Sequence, residues 1–154
     1  MSQGTVVSIH IADTGEALMR SVPEARAVPG RGLEGDRYFA KEGSFSDRGG
    51  PGRDVTLIEI EAIEALERDY QTKIEPGAAR RNIVTRGIGL NHLVGREFKV
   101  GDVTLRGVRL CEPCAHLQKL TADKVLPGLV HRGGLRCDIL TAGVIRPGAP
   151  VTLA

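Results

Sequence analysis

Two cysteines three positions apart are the residues of this sequence best suited to chemistry. Cys111 and Cys114 lie in Leu110-Cys-Glu-Pro-Cys-Ala-His-Leu117, where a predicted strand ends and a helical segment is expected to begin. A thiol at a helix N-terminus feels the partial positive charge of unpaired amide groups, which lowers its pKa and favours the thiolate. Metal binding and sulfur transfer both require a thiolate, so the segment is a candidate for either.

Three other interpretations of the cysteines remain open from the residues alone. The pair could be a redox-active dithiol, although the thioredoxin-like motif follows the first strand of a βαβ unit, whereas this one lies late in a strand-rich chain. A structural zinc site could use the three cysteines with His116 or His131, but no second Cys-x-x-Cys pair completes four ligands. A small buried core cysteine is the third interpretation; it fits Cys137 and could fit Cys111.

A pair of arginines followed by an asparagine is the second candidate. In Ala79-Arg-Arg-Asn-Ile-Val-Thr85, Arg80, Arg81 and Asn82 come before alternating apolar residues that predict a strand. A guanidinium group at the start of a strand can bind a phosphate through two parallel hydrogen bonds. Two solvated surface arginines are the simpler alternative, and the motif alone does not separate the two.

Two glycine-rich segments place further arginines where an anion could bind. Gly30-Arg-Gly-Leu-Glu-Gly-Asp-Arg37 has Arg31 and Arg37 beside glycines whose backbone amides can approach an anion closely. It is not a Walker loop, because the Gly-Lys-Ser/Thr ending is absent. His131-Arg-Gly-Gly-Leu135 adds Arg132 in a similar setting. Each single histidine is more often a hydrogen-bonding residue than a ligand or base, and this applies to His10, His92, His116 and His131.

The composition is that of a globular protein with a small net charge. Of 154 residues, 41% are hydrophobic and 26% charged, which argues against extended disorder and favours a single domain over residues 1–154. A net charge of +2 without a dense Lys/Arg run argues against nucleic-acid binding. With no secretory leader and no bilayer-spanning apolar stretch, we expect a cytoplasmic protein without a membrane partner. Three cysteines, an odd number, disfavour a disulfide framework.

Short β-branched runs and Gly-rich turns predict an α+β, mainly β fold with a barrel-like core. The predicted strands cover residues 5–11, 24–28, 54–57, 79–85, 97–100, 103–110, 135–140 and 149–153. Turns are expected at Gly101-Asp102 and Pro147-Gly148. Residues 29–53 read as a long Gly-rich loop with a brief strand-like patch near Tyr38 and Phe39, and a loop of that length is usually functional or mobile.

One amphipathic helix is predicted after residues 54–57. Thr56-Leu-Ile-Glu59 is a plausible capping box for its first turn. Its apolar face is expected to consist of Ile58, Ala62, Ile63 and Leu66. The glutamates fall on the opposite, solvent face, so we expect no acid-base role for them. Two more helical pieces are expected, one starting near Cys114 and one over residues 122–130.

Six segments, taken in order, resemble the MOSC family, which is named for the C-terminal domain of molybdenum cofactor sulfurases. They are Gly-Leu-Glu-Gly-Asp-Arg, Arg-Arg-Asn-Ile-Val, Val-Gly-Asp-Val-Thr-Leu, Cys-Glu-Pro-Cys, Arg-Gly-Gly-Leu-Arg and Ile-Arg-Pro-Gly. Each is unspecific alone, but together they cover nearly the whole chain in the family's order and spacing. The resemblance implies a strand-rich, barrel-like fold and a site for a molybdenum cofactor, in which molybdopterin holds the metal.

The resemblance also selects site residues. In the family's amidoxime-reducing enzymes and N-hydroxylated-base reductases, the second cysteine of the segment binds the metal, which implies Cys114 as metal ligand and catalytic residue. The implied cofactor contacts are Arg37, Arg80 and Asn82, with Arg31 and Arg132 from the glycine-rich segments. A soft thiolate suits a high-valent molybdenum centre, while arginines offset the charge of the pterin phosphate.

Departures from the family leave the function open. The sequence shows neither the N-terminal β-barrel domain of the amidoxime reducers nor the pyridoxal-phosphate desulfurase domain of the sulfurases. Some stand-alone members have a His-Gly-Gly turn where this chain has Arg48-Gly49-Gly50, so a role for that histidine does not transfer.

Three hypotheses follow for the function. The first is a reductase of N-hydroxylated or N-oxide compounds that receives electrons from a separate electron-transfer protein. The second is a carrier of the cofactor, or of a Cys114 persulfide supplied by a cysteine desulfurase. The third is a zinc-stabilised interaction module. Molybdenum and tungsten are not distinguished by the sequence.

Overall fold

The computed structural model describes residues 3–14, 17–37, 39, 52–111, 129 and 131–153. Eleven strands, one α-helix and two short 3₁₀ helices lie within these ranges. The strands are β1 (Gln3–Ile11), β2 (Arg20–Val22), β3 (Ala25–Val28), β4 (Gly32–Leu33), β5 (Val55–Glu59), β6 (Ile83–Arg86), β7 (Glu97–Val100), β8 (Val103–Leu110), β9 (Leu135–Ile139), β10 (Gly143–Ile145) and β11 (Pro150–Leu153). The helices are α1 (Ile60–Tyr70) and the 3₁₀ helices Pro76–Ala79 and Leu90–Leu93.

Seven strands close into a barrel. They follow the order β1, β11, β7, β8, β9, β5, β6, and β6 pairs with β1 again to complete the ring. β5 and β6 are parallel, and α1 connects them, whereas the other neighbouring barrel strands run antiparallel. β2 adds to the last part of β1, and β3, β4 and β10 form a separate three-stranded sheet. The expected mainly β fold with a barrel core is confirmed.

The barrel interior is filled by side chains that alternate along the strands. In β5, Val55 and Leu57 belong to the interior cluster, while Ile58 packs in a second cluster with α1. This period of two is the pattern that predicted the strands. Fully buried members of the interior cluster include Ile9, Leu57, Ile83, Phe98, Leu105 and Leu135. The hydrophobic effect of this buried set is the main force that holds the closed sheet together.

Helix α1 packs on the outside of the β5–β6 pair. Ala62, Ile63 and Leu66 are buried there against Ile58 and Val84, which confirms these three residues of the predicted apolar face. Ile58 was expected on the same helix face, but it lies in β5, because the strand continues to Glu59. The predicted capping box is wrong, because Thr56-Leu-Ile-Glu59 lies in β5. Glu59 is the N-cap residue but makes no side-chain cap hydrogen bond, and its carboxylate instead accepts a hydrogen bond from the Leu90 amide at 3.1 Å.

The observed strands agree with most of the predicted ones to within a few residues. The clearest difference is the segment 79–85, where the strand begins only at Ile83. Ala79 ends a 3₁₀ helix and Arg80 adopts a left-handed backbone with φ of 60°, so the extended run starts later. The short strands β2, β4 and β10 were not predicted, because two or three residues carry too little periodicity to recognise.

Several predictions fall on residues outside the described part of the chain. Both predicted helical pieces, the one beginning near Cys114 and the one over residues 122–130, lie there, apart from Leu129. Tyr38 lies there as well, whereas Phe39 is in a turn. Among the described residues, no helix has the length and apolar character needed to cross a membrane.

Candidate functional site

Three arginines, Arg37, Arg80 and Arg81, are buried near one another and are called the arginine cluster below. Arg37 is 3% exposed and forms an ion pair with Asp36 at 3.0 Å. Its second guanidinium nitrogen donates to the Arg80 carbonyl at 3.0 Å. A buried guanidinium needs such partners because desolvation of an isolated charge is costly. Arg37 therefore fixes the backbone of Arg80.

Arg80 turns its side chain towards the connection between β1 and β2. Its Nη1 donates to the Ala17 carbonyl at 2.5 Å, and its own amide donates to Gly77 at 3.1 Å. The side chain lines an open cleft of about 390 Å³ between this connection and the 3₁₀ helix Pro76–Ala79. The cluster thus presents one of its cations to a space that a small molecule could occupy.

The cleft is mainly apolar and has His10 in its wall. Its lining residues are His10, Leu18, Met19, Ser21, Glu75, Pro76, Gly77, Ala78 and Arg80. The imidazole is buried and hydrogen-bonds to Ser8 Oγ through Nε2 at 2.7 Å. Burial lowers the pKa of His10 below its ordinary value, so the neutral imidazole is favoured at neutral pH.

Arg81 points to a different place from its neighbour. Its Nε donates to the Gly133 carbonyl at 2.7 Å and its Nη2 to the Cys111 carbonyl at 3.1 Å. Cys111 follows the end of β8, and Gly133 shortly precedes β9. The sequence left open whether these two arginines bind a phosphate or are solvated at the surface. Both are buried, and the structure places one beside the cleft and the other beside Cys111.

Asn82 is fully buried and completes the hydrogen bonding between β5 and β1. Its Oδ1 accepts from the Thr56 amide at 3.0 Å and from Thr56 Oγ1 at 3.1 Å, while Nδ2 donates to the His10 carbonyl at 3.2 Å. These bonds give Asn82 a structural role. Its contact with a cofactor remains a prediction.

The other two predicted cofactor contacts lie elsewhere. Arg31 is exposed, with its guanidinium 4.0 Å above the Phe39 ring, a cation–π arrangement. Arg132 is exposed. The hydrogen bond from Arg68 lowers the pKa of Asp69, and the positive charge of Arg132 lowers it further. Within the contacts described, neither joins the arginine cluster, and their roles at a cofactor stay predictions.

Cys114, the predicted metal ligand, lies outside the described residues, as does His116. Cys111 and Cys137 are both buried and free of disulfides. Burial, together with the charge of Asp138, raises the pKa of Cys137 well above its usual range. This is the environment of an unreactive core thiol, as predicted for Cys137. The described residues contain no group of three His, Cys, Asp or Glu side chains that could hold a metal ion.

Three buried or half-buried aspartates have roles that the sequence did not indicate. Asp36 accepts a hydrogen bond from the Ala12 amide at 3.0 Å. Asp54 accepts from the amides of Gly30 at 3.1 Å and Ile139 at 2.9 Å. Asp138 accepts from the Gly52 amide at 2.7 Å. Together the last two bind both ends of the Gly-rich region to β9. The only hint in the sequence is that Asp36 lies within the Gly-rich region of residues 29–53 and that Asp54 directly follows it.

Comparison with known proteins identifies the family. The family model described as the MOSC domain matches residues 46–152. Among solved structures, the YUAD protein from Bacillus subtilis is 16% identical, has a TM-score of 0.81, and is covered over 97% of its chain by 98% of this one. YiiM from Geobacillus stearothermophilus is 17% identical with a TM-score of 0.74, and 98% of this chain covers 75% of it.

YiiM from Escherichia coli is 20% identical with a TM-score of 0.64, and all of this chain, 100%, covers 70% of it. At these identities the structural likeness establishes the fold alone. No curated protein matches the chain. The family model covers well over half of the sequence, so this chain belongs to the MOSC domain family.

Proposed function

We propose that this protein binds a molybdenum cofactor, with Cys114 as the protein ligand of the metal, and reduces N-hydroxylated or N-oxide compounds. Family membership supports the association with the cofactor. The observation that carries the proposal further is the position of the arginine cluster: Arg81 contacts the carbonyl of Cys111, three residues before Cys114. A buried cation is therefore in direct contact with the backbone three residues before the candidate thiolate in sequence.

The described residues fit such a cofactor. A metal held by a pterin dithiolene needs few protein ligands, so the lack of a three-residue metal-binding group among the described residues is compatible with it. Arg80 lines the cleft, and Arg37 holds its backbone through a hydrogen bond to the Arg80 carbonyl. Arg80 is therefore the best placed of the predicted residues to contact the pterin phosphate. Four further residues remain proposed contacts: Arg37 and Asn82, which are buried and already hydrogen-bonded, and Arg31 and Arg132, which are exposed.

The proposed reaction breaks an N–O bond. Two electrons from a separate donor protein and two protons convert the N-hydroxylated compound to the amine or amidine and water. When bound, the cofactor supplies two-electron redox chemistry. The chain supplies the thiolate at Cys114, a cationic environment, and a mainly apolar cleft, lined in part by Met19, Pro76 and Ala78, against which an organic group could pack.

Metal and pterin analysis of three cysteine variants tests the proposal. Protein is produced in a host that makes the cofactor, and molybdenum and tungsten are measured per chain. Cys114→Ser is expected to abolish molybdenum retention, because a hydroxyl is a poorer ligand for a high-valent centre than a thiolate. Cys111→Ser and Cys137→Ser are the matched controls and are expected to retain the metal. Equal metal content in all three variants would contradict the assignment of Cys114.

A turnover assay then separates the reductase from a carrier. Cofactor-loaded protein is supplied with a reduced dye and an amidoxime, and formation of the amidine is followed by chromatography. Metal retention with turnover supports the reductase. Metal retention without turnover, together with the mass of one added sulfur atom on Cys114 after incubation with a cysteine desulfurase, contradicts it and favours the carrier. Stoichiometric zinc with unfolding on chelation would favour the interaction module.

A further inference from the structure

We infer that Arg81 is a positioning residue that holds together the two chain ends from which the Cys114-bearing segment departs. That segment, residues 112–132 in sequence, begins after Cys111 and ends before Gly133. The contacts of Arg81 stand by themselves, whereas their meaning for Cys114 rests on the proposed function. The inference gives Arg81 a task different from the phosphate binding that its position beside Arg80 suggested.

The geometry of the guanidinium carries this inference. Arg81 is only 8% exposed, and it donates from Nε to Gly133 at 2.7 Å and from Nη2 to Cys111 at 3.1 Å. The two acceptors are backbone carbonyls separated by more than 20 positions in sequence. One rigid side chain thus bridges the start and the end of the intervening segment.

A second contact closes the same two ends through the backbone. The Cys111 amide donates to the Gly134 carbonyl at 2.7 Å. Gly134 itself has φ of 112°, and a Cβ there would collide with the carbonyl of Leu57, so the chain passes very close to β5 at this point. Asn91 adds a tether through its hydrogen bond to the His131 carbonyl at 2.8 Å. The two chain ends are therefore fixed beside β5, and Arg81 is the charged side chain among the contacts that hold them together.

Arginine is the side chain suited to this task. Its planar guanidinium remains charged at all relevant pH values and carries five N–H donors in a fixed arrangement. Lysine offers a single ammonium group and cannot place two donors on carbonyls in the same rigid geometry. Without the bridge, the carbonyls of Cys111 and Gly133 would need hydrogen bonds from water, and water could reach them only if the two chain ends moved apart. A ligand on the segment would then lose the fixed base that preorganises it.

Native-state alkylation of the cofactor-free protein tests the bridge directly. Iodoacetamide is added to wild type, Arg81→Lys, and the control Arg106→Lys, and each cysteine is quantified by peptide mass spectrometry. Arg106 is an exposed arginine on β8 paired with Glu97. We expect Arg81→Lys to raise the alkylation rate of buried Cys111 by about tenfold through local opening. Arg106→Lys should leave it unchanged.

Cys137 serves as an internal control for global unfolding. It is fully buried on β9 in the barrel interior, so it is expected to stay unreactive in every variant. An equal rise at Cys137 in Arg81→Lys would show general loosening and overturn the local role of Arg81. A Cys111 rate equal to that of Arg106→Lys would overturn it as well.

Hydrogen exchange of the wild-type protein gives a measurement that needs no variant. The Cys111 amide, bonded to Gly134, is expected to be protected as well as amides of the paired β8 and β9 strands. Exchange at the rate of an unprotected amide would contradict the closure.

Metal content distinguishes the inference from the function on which it rests. If Cys114 binds molybdenum, Arg81→Lys should lower the metal retained and Arg106→Lys should not. If wild type retains no molybdenum while Cys111 becomes reactive in Arg81→Lys, the proposed function fails and the bridge stands. If wild type retains molybdenum and Arg81→Lys behaves as Arg106→Lys in both assays, the bridge fails and the function stands.

Discussion

Replacing Asn82 by alanine should destabilise the barrel even when no cofactor is bound. The side chain is 0% exposed, and its amide oxygen is the acceptor for the Thr56 amide. Its amide nitrogen donates to the His10 carbonyl. Alanine removes both interactions from a place where water is excluded. Asn82 thus joins β5, β6 and β1 at one end of the barrel, and its loss affects three strands at once.

The magnitude follows from the groups left behind. A buried amide without an acceptor costs about 1–3 kcal/mol, and the loss of the bond to His10 adds about 1 kcal/mol. We therefore expect Asn82→Ala to lower the free energy of unfolding by about 3 kcal/mol, a large part of the 5–15 kcal/mol typical of a domain. Thr56 Oγ1 loses less, because it also accepts from the Asn82 amide at 3.1 Å, which the variant retains.

Urea unfolding of cofactor-free protein, followed by circular dichroism, measures this loss. With a slope of about 2 kcal/mol/M, the midpoint should fall by about 1.5 M. The matched control is Asn91→Ala, because Asn91 also donates to one backbone carbonyl but is exposed; it should cost under about 0.5 kcal/mol. If the two variants lose the same stability, the hydrogen bonds of Asn82 do not have the role argued from the structure.

Two further predictions concern a glycine and a histidine. Gly134→Ala should lower the free energy of unfolding by well over the roughly 1–2 kcal/mol of left-handed backbone strain, because the added Cβ would collide with the Leu57 carbonyl. Gly148→Ala is the control: Gly148 has φ of 90° and open space around it, so its replacement should cost only that strain. Equal losses in melting temperature would contradict the steric argument. Burial lowers the pKa of His10 below 6.5, so its contribution to stability is present above that pH and is lost as pH falls towards the folded-state pKa. Between about pH 7.5 and about pH 5.5 the urea midpoint of wild type should fall more than that of His10→Gln, and parallel midpoints would refute this.

The barrel could be predicted from sequence because its strands have a clear two-residue period. Along β7, the buried residues Phe98 and Val100 alternate with exposed ones. A turn connects β7 to β8, with which it pairs. The helix start could not be placed correctly, because a Thr-x-x-Glu spacing occurs in β5 as readily as in a capping box. In the structure, Ile58 packs with α1 from the outer face of β5, and the strand continues to Glu59 before the helix begins.

The site could be predicted by residue type but not by role. Arg80 and Arg81 are adjacent and chemically identical in sequence, and both suit a phosphate. The two side chains take different roles because Arg80 has a left-handed backbone conformation and because different carbonyls lie within reach of each guanidinium. Those carbonyls come from distant segments, so no local pattern could indicate them. The resemblance to the family selected Cys114, and spacing alone did not.

The burial of the predicted contacts limits how a phosphate could be bound at this end of the barrel. Arg37 is paired with Asp36 and holds the Arg80 carbonyl, and Asn82 is occupied by Thr56 and His10. A phosphate that took either side chain would have to compensate for the buried partners it released, at about 1–3 kcal/mol for each. Arg80 also has a partner, the Ala17 carbonyl, but it already lines the cleft, so it could contact a phosphate there without leaving its place in the core. Among the three arginines of the cluster, the physical argument therefore favours Arg80 as the direct contact, with Arg37 holding its backbone and Arg81 holding the chain beside Cys111.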